Sequence, residues 1–342
     1  MTRKVVVLAG LALLVRVGAA VIEPLPISGD EIAHGNYIGY ICAHHALPDS
    51  AAPNTFIPDT PDRLANLSYE FYQPPGYYVV TALLGFGKPI SSRLVSVAMF
   101  MIAFFFVWAA TRRAGNSGDL PVLYALAFIP GLIVTTSTIG NDVFLLLGSA
   151  IMLYACCRQK TWAFVLGGLV LATSKLHGLP ILLVIGAYNL IKRNYRWAFI
   201  GLGLAVLAGG IIWWRWDLQV ENKELGLFVP TVLNIAKMLH ETLVTGFLYP
   251  QYDRVPQELM TLAVIGGTVL VFGAMRRFRQ LPLLHRYVVL VVCAVWCGWC
   301  IFKLYPAGRY LFAAIPWLAL GRRDGVETPS GMAGGKQTAK KR

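Results

Sequence analysis

Residues 5–22 read VVVLAGLALLVRVGAAVI, an apolar run interrupted only by Arg16. About 20 such residues form a helix that crosses the hydrocarbon core of a bilayer. Comparable runs follow at 94–111, 120–139, 142–157, 162–176, 179–191, 197–214, 257–275, 287–304 and 308–320. The sequence therefore predicts an all-α polytopic membrane protein with about ten transmembrane helices, of which 120–157 and 162–191 are close-coupled hairpins. The small residues around Gly18 make a weak cleavage signal, and Arg16 interrupts the apolar stretch, so the first run reads as a retained span rather than a signal peptide.

Composition agrees with this class. The 342 residues are 56% hydrophobic and only 14% charged, against about 25% charged in a soluble domain. The net charge of +13 does not point to a nucleic-acid partner, because the basic residues sit in short clusters between runs. These are Arg112 with Arg113, Arg158 with Lys160, Lys192 and Arg193 with Arg196, Arg276 and Arg277 with Arg279, and the tail GGKQTAKKR. With the N-terminus inside, the inner segments collect most of the lysines and arginines, but only Asp119, Asp324 and Glu327 of the 17 acids. That is the positive-inside pattern, and it puts both termini in the cytoplasm. The localisation expected is multi-pass integral membrane, in a plasma, inner or endoplasmic-reticulum-type membrane. The six cysteines read as packing groups rather than a disulfide framework.

One transmembrane domain, 1–320, carries two long outer segments, 23–93 and 217–256. A basic tail, 321–342, reads as disordered. Within the first outer segment, YEFYQPPGYYVVTALLGFGK (69–88) is too short to span comfortably. Its aromatic residues suit a membrane interface, so a juxtamembrane helix beginning near Pro74 and Pro75 is expected on the outer leaflet. A second interfacial helix is expected at 231–249.

Directly after the first run comes SGDEIAHGNYIGYICAHHALPD (28–49). On a helix beginning near Asp30, His34 lies four residues beyond Asp30 and three beyond Glu31, and Tyr37 follows one turn later. Carboxylate, imidazole and phenol on one face suit a general base or a metal site. The plainer alternative is that Asp30 caps the helix. Asp142, in Asn141–Asp142, falls at the same outer face and is equally well explained as a helix start. Lys175 and His177 in ATSKLHGLP, Arg93, and Arg309 in YPAGRYLF all lie on the outer side. Each is explained singly as an interfacial anchor; together they suit a phosphate-bearing lipid. There is no Walker motif, no dinucleotide fingerprint and no zincin motif.

In order, GDEIAHGNYIGYICAHHALPD, YEFYQPPGYY, SSRLVS, FIPGLIV before Asn141–Asp142, ATSKLHG and GRYLF resemble the polyprenyl-phosphate-sugar-dependent glycosyltransferases of the GT-C fold. That group includes the protein O-mannosyltransferases and the lipid A aminoarabinose transferase. The resemblance covers most of the chain. It implies Asp30 as catalytic base and Glu31 as its neighbour holding the acceptor. It implies Asp142 as a second acid, and Lys175 and Arg309 (with Tyr310 beside it) as groups near the lipid phosphate. Gln73 precedes the prolines where many relatives have His or Lys. The expected partners are a polyprenyl-phosphate-linked sugar, a glycan, lipid or protein acceptor, and membrane lipids. The resemblance requires no cofactor, and a divalent metal at Asp30, His34 and Asp142 is the variant that it leaves open. Two other function classes share these features. A transporter or lipid-linked-sugar flippase also carries ions within its membrane domain and favours broken spans. A non-catalytic subunit would keep the GT-C shell without the chemistry.

Overall fold

The computed structural model describes residues 2–23, 25, 29–48, 70–112, 119–215, 257–303 and 308–319. Among them the chain is helical, with no β-strand. In order the helices are α1 (Arg3–Ile22), α2 (Gly29–His44), α3 (Gly76–Gly85), α4 (Pro89–Thr111), α5 (Leu120–Phe128), α6 (Pro130–Ser137) and α7 (Asp142–Arg158). There follow α8 (Thr161–Ala172), α9 (Gly178–Ile191), α10 (Tyr195–Arg215), α11 (Gln257–Phe278), α12 (Leu283–Lys303) and a 3-10 helix (Gly308–Leu318). The expected interfacial helix at 231–249, the rest of the second outer segment and the tail at 321–342 lie outside the described residues.

Each of the ten apolar runs is helical over most of its described residues, the last as a 3-10 helix, which fits an all-α protein of membrane type. The expectation of ten transmembrane helices is corrected. Among the described residues, α1, α4 and α10 are long and apolar enough to cross a bilayer, and α5 with α6 makes a fourth if that bent pair is one span. The helices α8 and α9 have 12 and 14 residues. At 1.5 Å per residue they extend about 18 and 21 Å, short of a ~30 Å hydrocarbon core. The last run, read as a span over 308–320, is an 11-residue 3-10 helix with Pro316 inside it. Proline has no N–H to donate, so it does not sustain an α-helix there.

Helix α7 is the centre of the bundle. Every residue from Asp142 to Leu153 is buried, as a helix apolar on all sides must be. Around it pack α4, α8 and the 3-10 helix. The one hydroxyl in its middle, Ser149, donates to Ala313 O at 2.6 Å and accepts from Trp317 Nε1 at 2.7 Å. This polar link fixes the 3-10 helix against the core. The described cysteines are free thiols.

Arg16 has a specific task. Helices α5 and α6 meet at a 62° bend. Pro130 opens α6 and offers no N–H, which leaves the carbonyl of Leu126 without its helical donor. The Arg16 guanidinium donates to Leu126 O at 2.7 Å, to Ala127 O at 2.9 Å and to Thr136 Oγ1 at 2.8 Å. It also lies 3.5 Å from the centre of the Phe100 ring. The charged residue that interrupts the first apolar run thus satisfies the broken backbone of the pair beside it. Replacing Arg16 with Met strands these carbonyls in an apolar interior at a cost of about 3 kcal/mol. The expected result is a clearly lower melting temperature in detergent; an unchanged one would show that the guanidinium does not support the bend.

The bundle has two distinct ends. At one, Arg158 donates to Ala109 O and Arg112 O, and Arg277 pairs with Asp119 while donating to Leu318 O. At the other meet the start of α2, the approach to α3, the α6–α7 connection and the α8–α9 connection.

Candidate functional site

The site end is built around a buried ion pair. Glu31, in the first turn of α2, is 1% exposed, and Arg93, in the first turns of α4, is 0% exposed. Arg93 Nε and Nη2 donate to the two carboxylate oxygens, each at 2.7 Å. Arg93 Nη1 donates to Ala20 O at 3.2 Å and Glu23 O at 2.8 Å, the last carbonyls of α1. Glu31 Oε1 also accepts from the Ile139 N–H at 3.0 Å, in the connection just before Asp142. One pair therefore fixes the exit of α1, the starts of α2 and α4, and the α6–α7 connection. Arg93 is engaged by Glu31 and by the backbone carbonyls of Ala20 and Glu23. The Glu31 carboxylate accepts from Arg93 and from the Ile139 N–H.

Asp30 precedes this pair on the same helical turn and is half-buried. His34 and Tyr37 share the buried side of α2 with Glu31. His34 Nδ1 lies 2.9 Å from Tyr78 Oη and 4.0 Å from Glu70 Oε2. Its ring also faces the backbone of Gly140. Tyr37 stacks on Tyr78, with ring centres 3.8 Å apart, and donates to Gln73 O at 3.4 Å. Gln73 is buried, and its amide donates to Tyr72 Oη at 2.9 Å. The Arg215 guanidinium, at the end of α10, lies 5.7 Å from the Tyr37 ring. It donates to Phe71 O at 3.1 Å and Pro48 O at 2.7 Å.

Of the aromatic residues expected at a membrane interface, three are enclosed by the protein itself. Phe71, Tyr77 and Tyr78 are fully buried here, while Leu83, Leu84 and Phe86 of the same segment are exposed. Tyr77 Oη accepts from the Gly140 N–H at 2.9 Å and shares a 2.9 Å hydrogen bond with Ser96. Burial pushes the Tyr37 and Tyr77 phenols up to about 12. Burial, with the Glu70 carboxylate beside it, raises Tyr78 well above its usual value. All three therefore remain neutral hydroxyls at physiological pH. Gly76 lets α3 start against the α8–α9 connection: its N–H donates to Thr173 O at 2.9 Å. A Cβ there would lie 2.7 Å from Thr173 O and 2.8 Å from Phe144 Cε1, so no side chain fits.

Asp142 opens α7 and receives Lys175 Nζ at 2.9 Å, with both groups about 5% exposed. Lys175 comes from the α8–α9 connection, as does His177, which is buried at the start of α9. Asn141 stands at the capping position of α7 but makes no capping bond. It is fully buried, and neither its amide nitrogen nor its oxygen has a hydrogen-bond partner among the described residues. Arg309 and Tyr310 fall on the first turn of the 3-10 helix, and their side chains lie outside the described residues. Asp30, His34 and Asp142 do not form a metal cluster: among the described residues no three His, Cys, Asp or Glu side chains come together in that way.

Sequence reasoning missed Glu70, Tyr77, Tyr78, Asn141 as a buried amide, and Arg215. The signal for the first three lay in YEFYQPPGYY, where a lone acid among aromatics precedes a double proline. The ion pair makes a direct prediction. Glu31→Gln leaves the Arg93 guanidinium buried without its counter-charge, which costs roughly 3–5 kcal/mol. Arg93→Met should cost a similar amount, and Glu31→Leu with Arg93→Met less than the two single losses added. Chemical denaturation in detergent reads all of these, and additive losses would show that the two groups are not coupled.

No family model matches the chain, and no curated protein is significantly similar to it.

Proposed function

We propose that this chain is an inverting membrane glycosyltransferase. It moves a sugar from a polyprenyl-phosphate donor to an acceptor hydroxyl at the extracytoplasmic face, with both termini in the cytoplasm. The observation that carries this reading is the convergence of sequence-distant motifs on one end of the bundle. Asp30 stands half-buried on a helical turn whose next residue is clamped by Arg93. At the same end of the bundle the His34 ring lies against Gly140, and Asn141 and Asp142, the latter paired with Lys175, follow Gly140 directly in the chain. A carboxylate held in place but not fully enclosed suits a general base better than a structural ion.

In the proposed step, Asp30 takes the proton of an acceptor hydroxyl. The acceptor oxygen forms a bond to the anomeric carbon from the face opposite the phosphate. The bond from that carbon to the phosphate oxygen breaks, and polyprenyl phosphate leaves with the electron pair. This single displacement inverts the centre, following the carboxylate logic of inverting glycosidases with an acceptor in place of water. Cationic groups at the departing phosphate stabilise charge that grows in the transition state; Lys175 and Arg309 are assigned that task. The buried amide of Asn141 offers both a donor and an acceptor to sugar hydroxyls, and a buried amide of this kind calls for such a use. Glu31, through Arg93, holds Asp30 in register. General-base assistance contributes about 10²–10⁴-fold. Asp30→Asn should therefore lose that much transfer of labelled sugar from a polyprenyl-phosphate donor while keeping the wild-type melting temperature. Transfer by this variant at the wild-type rate would overturn the assignment.

A transporter or flippase of lipid-linked sugar is the second reading. One observation favours it: the 62° break between α5 and α6, since discontinuous helices line transporter sites. Proteoliposomes separate the two. The transferase releases a glycosylated acceptor and polyprenyl phosphate, whereas a flippase delivers intact lipid-linked sugar to the other leaflet.

A further inference from the structure

Away from the site, α9 and α12 leave an open, almost wholly apolar slot of about 380 Å³ between them. Ala187 and Ala294 line it, and their small side chains leave room for a foreign chain. Ile191 and Leu290 flank it and are 76% and 53% exposed. Tyr188 and Tyr287 also line it, their rings edge to face with centres 6.3 Å apart. The slot lies toward the end of α9 remote from His177, beside the connection that begins at Lys192.

That end is basic. Lys192 Nζ lies 5.9 Å from the centre of the Tyr188 ring. Lys192 and Arg193 are exposed. Arg286, adjacent to Tyr287, is fixed by its bonds to Leu281 O and Arg279 O. Apolar slot, tyrosine pair and three cations follow one another in the order of acyl chain, ester region and headgroup of a phospholipid. Tyrosine is favoured at that middle level, and basic pockets between membrane helices bind anionic headgroups.

We propose that this slot is a binding site for an anionic diacyl phospholipid. One acyl chain lies between α9 and α12, and the phosphate stands over Lys192, Arg193 and Arg286. A zwitterionic lipid fits the same slot but lacks the attraction of three basic groups, so the anionic lipid binds about tenfold or more tightly. The site is separate from Asp30 and its surroundings, and the inference does not depend on the activity proposed there.

The test uses the purified full chain in detergent, titrated with dioleoyl phosphatidylglycerol or dioleoyl phosphatidylcholine. Native mass spectrometry counts bound lipid, and thermal unfolding reports stabilisation. The wild type should retain phosphatidylglycerol at least tenfold better. Lys192→Gln with Arg193→Gln, both on the surface, should remove most of the preference for phosphatidylglycerol, Arg286 remaining, while phosphatidylcholine is unchanged. Ala294→Phe should expel both. If Ala294→Phe lowers the melting temperature before lipid is added, the surface double variant alone decides between the outcomes. Equal retention of the two lipids by the wild type overturns the proposal. So does undiminished phosphatidylglycerol selectivity in the double variant. Cross-linking that places a second copy of the chain over the slot would also overturn it.

Discussion

The Glu31–Arg93 pair is the constraint on which the site end depends. It joins residues 62 positions apart and reaches Ile139, 108 positions from Glu31. A buried ion pair is tolerated when its geometry is good and its remaining donors and acceptors are satisfied. Here four guanidinium N–H bonds and both carboxylate oxygens have partners. The main effect is specificity of arrangement rather than net stability. The observed docking of α1, α2, α4 and the α6–α7 connection provides a partner for each of these groups at once. Asp30 adjoins the clamped Glu31, and Asp142 follows the clamped Ile139 by three residues and is paired with Lys175.

A second tie complements the first. Arg215 draws the end of α10 to the carbonyls of Pro48 and Phe71. The stacked Tyr37 and Tyr78 fill the space between α2 and α3. Neutral phenols suit this layer, since they hydrogen-bond to His34 and to backbone without adding a buried charge. Ion pairs and aromatic groups thus divide the work. The first set register between helices, and the second exclude water from the base of the site.

The helices were legible in the sequence because apolar runs announce them, and α1, α4 and α10 begin and end close to the runs that predicted them. The number of crossings was not legible. An apolar stretch of 12 to 14 residues, such as α8 or α9, looks the same whether it faces lipid or packs inside a bundle. The acidic helix after the first run was equally readable, but the different surroundings of Asp30 and Glu31 were not. Neighbouring residues on a helix point about 100° apart, and which of them turns inward depends on where Arg93 lies. The burial of Tyr77 and Tyr78 was not legible because an aromatic ring with a hydroxyl suits a bilayer interface and a hydrogen-bonded core equally well. Arg215 and the pairing of Lys175 with Asp142 follow from contacts between distant segments, which one-dimensional spacing does not encode.

The kinked α5–α6 pair bears on the order in which the chain assembles. Backbone groups freed at Pro130 have no water to turn to inside a bilayer, so they must be met by protein. Their donor is Arg16, on a helix that precedes them by more than a hundred residues. Helix α1 therefore has to be in place before the bent pair settles. Once α5 and α6 arrive, they in turn enclose a guanidinium that would otherwise face lipid. The first helix of the chain thus acts as an internal chaperone for the later pair.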